Sequence, residues 1–202
     1  MKHALVIGGG SKKSQVIIDC LVDNDFQVIN IGSSEHPRAN NIRIEWSQLD
    51  IPTVHKLCKF QQQFDFVFFN QNSSSLNHTD YDPDLPTLKT WRLIKDWTHS
   101  QWISCQLPFL IVHSLKNNLS NKSKIGWMLS SYIDYQSLDI EKFPDYSANK
   151  YQNYLQMIAF GQHYQTFGIL PDFNRQDSME ILKTITKSII DKENLDKTLY
   201  RF

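Results

Sequence analysis

The chain has 202 residues, a length typical of one domain with one substantial core. Its 41% hydrophobic and 21% charged residues are ordinary for a globular protein. Because 21 basic side chains balance 21 acidic ones, the zero net charge gives no electrostatic reason to expect nucleic acid or an anionic membrane as a partner. No stretch approaches the ~20 apolar residues of a membrane span, and the apolar run at 4–7 is too short for a signal peptide. We therefore expect a cytoplasmic protein whose residues 1–202 form a single domain.

Cysteine and histidine give no sign of a metal or of a disulfide framework. Cys20, Cys58 and Cys105 are scattered and odd in number, which is typical of buried free thiols. The seven histidines show no ligand spacing. The sequence predicts no metal site.

Short apolar runs alternate with helical patterns along the whole chain. In chain order the patterns predict a strand at 3–7, a helix at 15–22, strands at 27–31 and 41–46, a helix at 52–62, a strand at 64–69, a loop at 72–86, a helix at 87–117 interrupted at Pro108, a strand at 124–129, a helix at 147–165, a strand at 167–170, a helix at 178–191 and a strand at 198–202. Strands that are apolar on both faces are typical of parallel sheets covered by helices. The predicted fold class is α/β: a Rossmann fold, with a doubly wound parallel sheet of about seven strands and helices on both faces. Ligands of such sheets bind at the carboxyl ends of the strands.

A glycine-rich turn follows the first predicted strand and opens the first helix. It consists of Gly8, Gly9, Gly10, Ser11, Lys12, Lys13 and Ser14. Glycines in this position permit a tight turn, and the free N–H groups of the following helix can bind a phosphate. A plain strand-to-helix turn is an equally good interpretation, since glycine is common in any such turn.

Tyr146 and Lys150 stand four residues apart at the start of a predicted helix, hence on one face. A nearby ammonium group favours phenolate, so it can make a phenol a usable proton donor and acceptor near neutral pH. The spacing also arises by chance in a chain of this composition. The pair is informative because of its position: it follows a strand that ends in Ser130 and Ser131, and it opens the next helix.

These features, in this order, resemble the short-chain dehydrogenase/reductase family over nearly the whole chain. The resemblance is carried by the glycine turn, by FFNQN at 68–72 where the family has N-N-A-G, by Ser130-Ser131, by the Tyr146/Lys150 pair and by Leu170-Pro171. It implies an oxidoreductase that transfers hydride between a nicotinamide cofactor and a small carbonyl or alcohol substrate.

The resemblance also implies roles for four residues. Tyr146 would be the general acid/base, and Lys150 would lower the phenol pKa and hold the nicotinamide ribose. Ser131, with Ser130 as second choice, would polarise the carbonyl. Ser104 aligns with the active-site Asn of the family, whose helix kinks there and frees a backbone carbonyl. Because Pro108 has no N–H to offer the Ser104 carbonyl, we hypothesise that it has the same effect.

The cofactor ligands implied by the resemblance are Gly8, Gly9, Gly10, Ser11, Lys12, Lys13, Ser14, Ser33, Arg38, Asn70, Lys150 and Pro171. NAD sites place an acidic residue at the end of the second strand, but no acid occurs here before Glu35. Lys12 stands where NADP-preferring relatives carry a basic residue, and Arg38 is nearby. These residues favour NADP(H) over NAD(H), unless the two basic side chains are solvated surface charges.

The chain departs from the family pattern in several places. The second and third family glycines correspond to Lys13 and Gln15, although in a register shifted by one residue Gly8–Ser14 resembles the G-x-x-x-x-x-S turn of enoyl reductases. Gln71 and Asn72 replace Ala-Gly. There is no room for lid helices between Pro171 and Ser178, so the site should be open or closed by another subunit.

Two functions stay open at this point. One is an NADP(H)-linked oxidoreductase that forms a homodimer or homotetramer through the helix at 87–117 and the helix after Tyr146, as relatives do. The other is a catalytically degenerate relative that acts as a nucleotide-binding or scaffold subunit. The altered glycine turn and the missing lid favour the second function, and the retained Ser, Tyr and Lys favour the first.

Overall fold

A computed structural model describes most of the chain. The described residues are 1–71, 97–130, 144–171, 175–195 and 198–201, without the side chains of 144 and 145.

Seven strands form one parallel sheet in the order β3-β2-β1-β4-β5-β6-β7. The strands are β1 (Lys2–Ile7), β2 (Phe26–Gly32), β3 (Asn40–Arg43), β4 (Phe66–Phe69), β5 (Lys124–Met128), β6 (Gln165–Leu170) and β7 (Thr198–Arg201). The α-helices of the described ranges are α1 (Lys12–Asp23), α2 (Ile51–Leu57), α3 (Leu107–Ser114), α4 (Pro144–Phe160) and α5 (Ser178–Asp191). The same ranges contain short 3-10 turns at Trp46–Gln48 and Lys116–Asn118. The predicted seven-stranded Rossmann fold is confirmed.

Side chains that alternate along each strand divide the core into two layers. β4 illustrates the division, because Val67 and Phe69 pack with α2, α3 and α4 while Phe66 and Phe68 pack with α1 and α5. All four side chains are buried. Burial on both faces explains why the central strands are uninterrupted apolar runs in the sequence.

Local capping sets the start of the first two helices. Ser11 accepts a hydrogen bond from the Ser14 backbone N–H at the start of α1, and Asp50 accepts one from Thr53 N–H at the start of α2. α2 ends at Leu57, five residues before the predicted end at 62. The Asn118 side-chain amide donates to the carbonyls of Phe60 and Gln62 and so stabilises this segment outside a helix.

The helical segment before α3 changes its hydrogen-bonding register ahead of Pro108. Residues 97–101 are helical, Trp102–Gln106 is a π-helical turn, and α3 begins at Leu107. The predicted interruption at Pro108 is confirmed, since the turn that precedes it is π-helical rather than α-helical.

The last helix is tied to the sheet by Lys124, the first residue of β5. Its ammonium group donates to the carbonyls of Ile189, Ile190 and Lys192 at 2.6–2.8 Å. A lysine at a helix C-terminus bonds the carbonyls that lack N–H partners and complements the negative end of the helix dipole. This contact fixes α5 against β5 across more than 60 residues of sequence.

The strand order reverses between β1 and β4, which is the switch point where doubly wound sheets bind ligands. The connection from β6 to α5 consists only of residues 171–177, and 172–174 lie outside the described residues. The predicted short connection after β6 is therefore present.

Candidate active site

The glycine turn lies at this switch point and contacts the loop after β4. Gly8 has φ +84°, and a Cβ placed there would lie 2.6 Å from the backbone N of Gln71. Real Cβ atoms do not approach backbone so closely, and L side chains rarely adopt this φ. Gly8 is therefore required by the fold itself, whether or not a phosphate binds.

Gly9 and Gly10 are also packed closely against the end of β2. A Cβ on Gly9 would lie 2.1 Å from Asn30 Oδ1, and one on Gly10 would lie 2.8 Å from both Cβ and Oγ of Ser34. The Gly9 N–H donates to Asn30 Oδ1 at 3.2 Å. The three glycines thus have structural neighbours within the protein, which the phosphate-binding interpretation alone would not predict.

Asn70 joins the glycine turn to the end of β4. Its amide donates to Ser11 Oγ at 2.7 Å and to Ser14 Oγ at 2.5 Å, and Ser14 Oγ donates to the Gly8 carbonyl at 2.9 Å. Ser14 is fully buried at the closest approach of α1 to β1. That is the position of the third glycine in dinucleotide turns, so the structure favours the register in which the turn runs from Gly8 to Ser14.

The positive end of α1 carries two lysines and no acidic residue. Lys12 is exposed and Lys13 is half-buried, both within the first turn after the Ser11 cap. Burial lowers the pKa of Lys13 to about 8. This helix terminus is electrostatically suited to an anion.

The loop after β2 is folded onto α1 and onto itself. The Arg38 guanidinium donates to Asp19 at 3.1 Å and to Asp23 at 2.6 Å, and the bond to Arg38 lowers the pKa of Asp23. Arg38 was predicted as a cofactor ligand, but its guanidinium group is held by these two carboxylates. Ser33 is exposed at the end of β2, as that prediction requires.

Two amides shape the same loop, and the sequence analysis missed both. Asn30 is buried, and its Nδ2 donates to the Ser34 carbonyl and to Asn41 Oδ1. Asn41 donates in turn to the carbonyls of His36 and Ala39. A polar residue between Ile29 and Ile31 of β2 was the available signal for Asn30, because a buried amide needs hydrogen-bond partners.

Tyr146 and Lys150 meet at the carboxyl end of β5. Both lie in the first two turns of α4, and the Lys150 ammonium is 5.5 Å from the centroid of the Tyr146 ring. Lys150 is 3% exposed, and its Nζ donates to the Met128 carbonyl at 2.8 Å. Burial, with a smaller effect from the charge of Lys13, lowers the pKa of Lys150 to about 8. The structure therefore brings together the predicted phenol and ammonium groups and places Lys13 within electrostatic range of them.

The other predicted site residues near this pair are only partly described. Ser130 is fully buried two residues after β5, whereas Ser131 lies outside the described residues. Ser104 is fully buried in the π-helical turn, and Pro171 is buried at the end of β6. The predicted contact between a serine hydroxyl and the phenol therefore stays a prediction.

The hypothesis that Pro108 deprives the Ser104 carbonyl of its partner assumed α-helical register, which the turn ahead of Pro108 does not have; the partner of that carbonyl stays a prediction. In a π-helical turn the carbonyl of residue i faces the N–H of residue i+5, as the bond from Leu107 N–H to the Trp102 carbonyl shows. Pro108 is thus opposite Ile103, whose carbonyl accepts from Gln71 Nε2 at 3.3 Å. The sequence pattern predicts α-helical register at this point and gives no role to Gln71.

Within the described ranges, no group of three or more His, Cys, Asp or Glu side chains is arranged to hold a metal ion. The helices of the described segments include none with the length and apolarity needed to cross a membrane. Cys20, Cys58 and Cys105 are free and buried, as predicted. The site accordingly consists of the glycine turn, the two lysines of α1 and the Tyr146/Lys150 pair.

Comparison with solved structures relates the whole chain to short-chain dehydrogenases and reductases. A carbonyl reductase from Pseudomonas aeruginosa PAO1 in complex with NADP matches with a TM-score of 0.75 and 14% identity, covering 100% of this chain and 96% of that one. A short chain dehydrogenase family protein from Francisella tularensis subsp. tularensis SCHU S4 matches at 0.72 and 15%, covering 100% and 97%. BdcA in complex with NADPH matches at 0.72 and 11%, covering 100% and 92%. No family model and no curated protein matches the sequence. The chain has the fold of these structures at low sequence identity.

Proposed function

We propose that the chain is an NADP(H)-dependent oxidoreductase that interconverts a carbonyl compound and its alcohol. The observation that carries this proposal is the Tyr146/Lys150 contact at the carboxyl end of β5, in the sheet whose switch point holds the glycine turn. The similarity to a carbonyl reductase solved with NADP and to BdcA solved with NADPH supports it.

The residues at the switch point fit a nicotinamide dinucleotide phosphate. The N-terminus of α1 and the side chains of Lys12 and Lys13 would hold its phosphates, because they combine the positive end of the helix dipole with two basic side chains and no acid in the first turn. The end of β2 offers the Ser33 hydroxyl and no carboxylate, which suits a 2′-phosphate better than a free ribose hydroxyl. When bound, the nicotinamide supplies or accepts the hydride.

Tyr146 and Lys150 would perform the proton chemistry. Tyr146 would give a proton to the carbonyl oxygen during reduction and take it back during oxidation. Lys150 stays close to the phenol because its ammonium is bonded to the Met128 carbonyl, and its positive charge favours the phenolate. Ser131 would orient the carbonyl, and the substrate would be a small molecule.

Cofactor binding is the first test. Titration with NADPH and with NADH, followed by the fluorescence of the five tryptophans, should give saturable binding with at least about tenfold higher affinity for NADPH. Lys12→Met should remove most of that preference, since Lys12 stands where NADP-preferring relatives carry a basic residue and the change deletes the charge offered to the 2′-phosphate. Lys116→Met, an exposed lysine on a 3-10 turn, is the matched control and should change neither affinity. Absence of saturable binding at millimolar NADPH would contradict the proposal.

A degenerate scaffold subunit is the second candidate function, and two observations favour it. Gly9 and Gly10 are already packed against Asn30 and Ser34, and Arg38 is held by two carboxylates. A chain that had lost its cofactor could keep its glycines for these contacts alone. The NADPH titration separates the two functions.

We further propose a homodimer formed through α3, α4 and the helical segment before them. Three large apolar side chains are exposed there: Trp97 at 43%, Phe109 at 53% and Leu155 at 46%. Phe109→Asp combined with Leu155→Asp should convert a dimer into a monomer in light scattering, because each buries a charge at the interface. Ile51→Asp on α2, where the side chain is 53% exposed, is the control and should leave the dimer intact. A wild-type monomer at micromolar concentration would contradict this assembly.

We propose a cytoplasmic location on the basis of the thiols. Three buried free cysteines suit a reducing compartment, which supports the expected cytoplasmic location.

A further inference from the structure

At the π-helical turn the buried Ile103 carbonyl has no N–H to bond at the position that continues the π-helical register. The Leu107 N–H reaches the Trp102 carbonyl, so the next carbonyl, that of Ile103, faces Pro108, which has no N–H. Gln71 Nε2 donates to the Ile103 carbonyl at 3.3 Å and replaces the missing donor. A side chain from the end of β4 thus stabilises the register of a helix more than 30 residues away in sequence.

Gln71 is held firmly at its other end by the glycine turn. Its backbone lies against Gly8, where a Cβ would come within 2.6 Å of the Gln71 nitrogen, and the residue is 5% exposed. The amide has only one possible orientation toward Ile103, because a carbonyl oxygen can accept a hydrogen bond and cannot donate one. Its Oε1 is buried and has no hydrogen-bond partner among the residues that the structure describes. Gln71 therefore connects the glycine turn to the π-helical turn.

The π-helical turn continues the connection to α4. Cys105 Sγ donates to Asn149 Oδ1 at 3.3 Å, Asn149 Nδ2 donates to Ser100 Oγ at 2.9 Å, and Gln156 Nε2 donates to the Cys105 carbonyl at 2.8 Å. Asn149 directly precedes Lys150. A shift of the turn from π to α register would move Cys105 relative to Asn149. It would thereby loosen the packing between this turn and α4, which buries Lys150.

We propose that Gln71 is a positioning residue: by bonding the Ile103 carbonyl it keeps the π-helical turn in register and so keeps Lys150 packed at the carboxyl end of β5. This inference rests on the proposed function in one respect, namely that Lys150 belongs to the reaction centre. The contacts from Gln71 to Ile103 and from Cys105 to Asn149 are independent of it.

The state of Lys150 provides a readout that needs neither cofactor nor substrate. In the described residues its ammonium is surrounded by the Met128 carbonyl, the Tyr146 ring, the Cys105 thiol and, at longer range, the Lys13 ammonium. Burial is the main cause of its lowered pKa, about 8. Loosening the π-helical turn admits water, and the pKa then rises toward the ordinary 10.5.

The experiment is a double-mutant cycle of Gln71→Met and Pro108→Ala. Gln71→Met keeps the length of the side chain and removes the donor, while Pro108→Ala restores an N–H opposite the Ile103 carbonyl. The titration of Lys150 is followed by NMR in protein labelled with ¹³C at lysine Cε, the signal being assigned by its loss in Lys150→Met. Melting temperatures are measured in parallel.

In the wild type the midpoint is expected near 8. Gln71→Met should raise the midpoint and lower the melting temperature by about 2–6 °C. Adding Pro108→Ala should reverse both changes.

An unchanged midpoint in Gln71→Met, or a raised midpoint that Pro108→Ala does not lower, would overturn the inference. If Gln71→Met does not fold, folding of the double variant supports the inference and failure of both variants to fold overturns it. Because no nucleotide is present in these measurements, failure to bind NADPH contradicts only the proposed function. The two results are therefore distinguishable.

Discussion

Tyr146→Phe should lower kcat by about 10³-fold while the Kd for NADPH stays within about twofold of the wild type. The change deletes one hydroxyl group and leaves the ring beside Lys150, so the proton donor is lost and the packing is retained. The measurement is the rate of NADPH oxidation with the most reactive member of a panel of small aldehydes and ketones, together with a fluorescence titration of the cofactor.

Tyr151→Phe is the matched control for this variant. Tyr151 lies on the same helix, five residues further along, where its ring stands 6.3 Å from that of Tyr154. Its loss of a hydroxyl group should leave kcat nearly unchanged. A Tyr146→Phe enzyme with wild-type kcat would rule out the phenol as the general acid.

Gly8→Ala should be the most destabilising single methyl addition at the glycine turn. The new Cβ would meet the Gln71 backbone at 2.6 Å, and the residue would be held at φ +84°, a conformation that is costly for any L side chain. The backbone strain at residue 8 and the displacement of the Gln71 backbone together should lower the free energy of unfolding by about 3 kcal/mol or more. This corresponds to a fall of roughly 6–12 °C in melting temperature.

Gly32→Ala controls for the loss of a glycine near the same site. A Cβ there would be 3.6 Å from its nearest neighbour, the Gly9 nitrogen, which is an ordinary contact distance. It should change the melting temperature by only about 1–2 °C. Equal effects of the two substitutions would show that the contact between Gly8 and Gln71 is not rigid.

The sheet could be predicted from the sequence because its central strands are buried on both faces. The apolar runs around β1, β4 and β5 stand out from polar flanking residues, and the predicted ends differ from the observed ones by at most two residues. The end of α2 could not be predicted, since it depends on the Asn118 amide, which arrives from a distant segment. Local pattern determined the elements, and long-range hydrogen bonds determined where this helix stops.

The candidate site, too, could be predicted where local spacing indicates it and could not be predicted where it depends on long-range contacts. The Tyr146/Lys150 pair and the buried Ser14 follow from spacing after strands, so they could be identified from the sequence. The partners of Arg38 are Asp19 and Asp23, which lie on α1, and no local pattern joins them to the loop after β2. Gln71 looked like a substitution of a family residue, and its contact with Ile103 appears only once the helix is known to be π-helical at that point.

The short connection from β6 to α5 has a consequence for the substrate selectivity of the proposed enzyme. Only residues 171–177 are available there to wrap around a bound compound. An enzyme that encloses little of its substrate gains little binding energy from parts of the molecule remote from the reacting carbon. We therefore expect a catalyst that accepts carbonyl compounds of many shapes, holds each of them weakly, and discriminates among them by reactivity more than by fit.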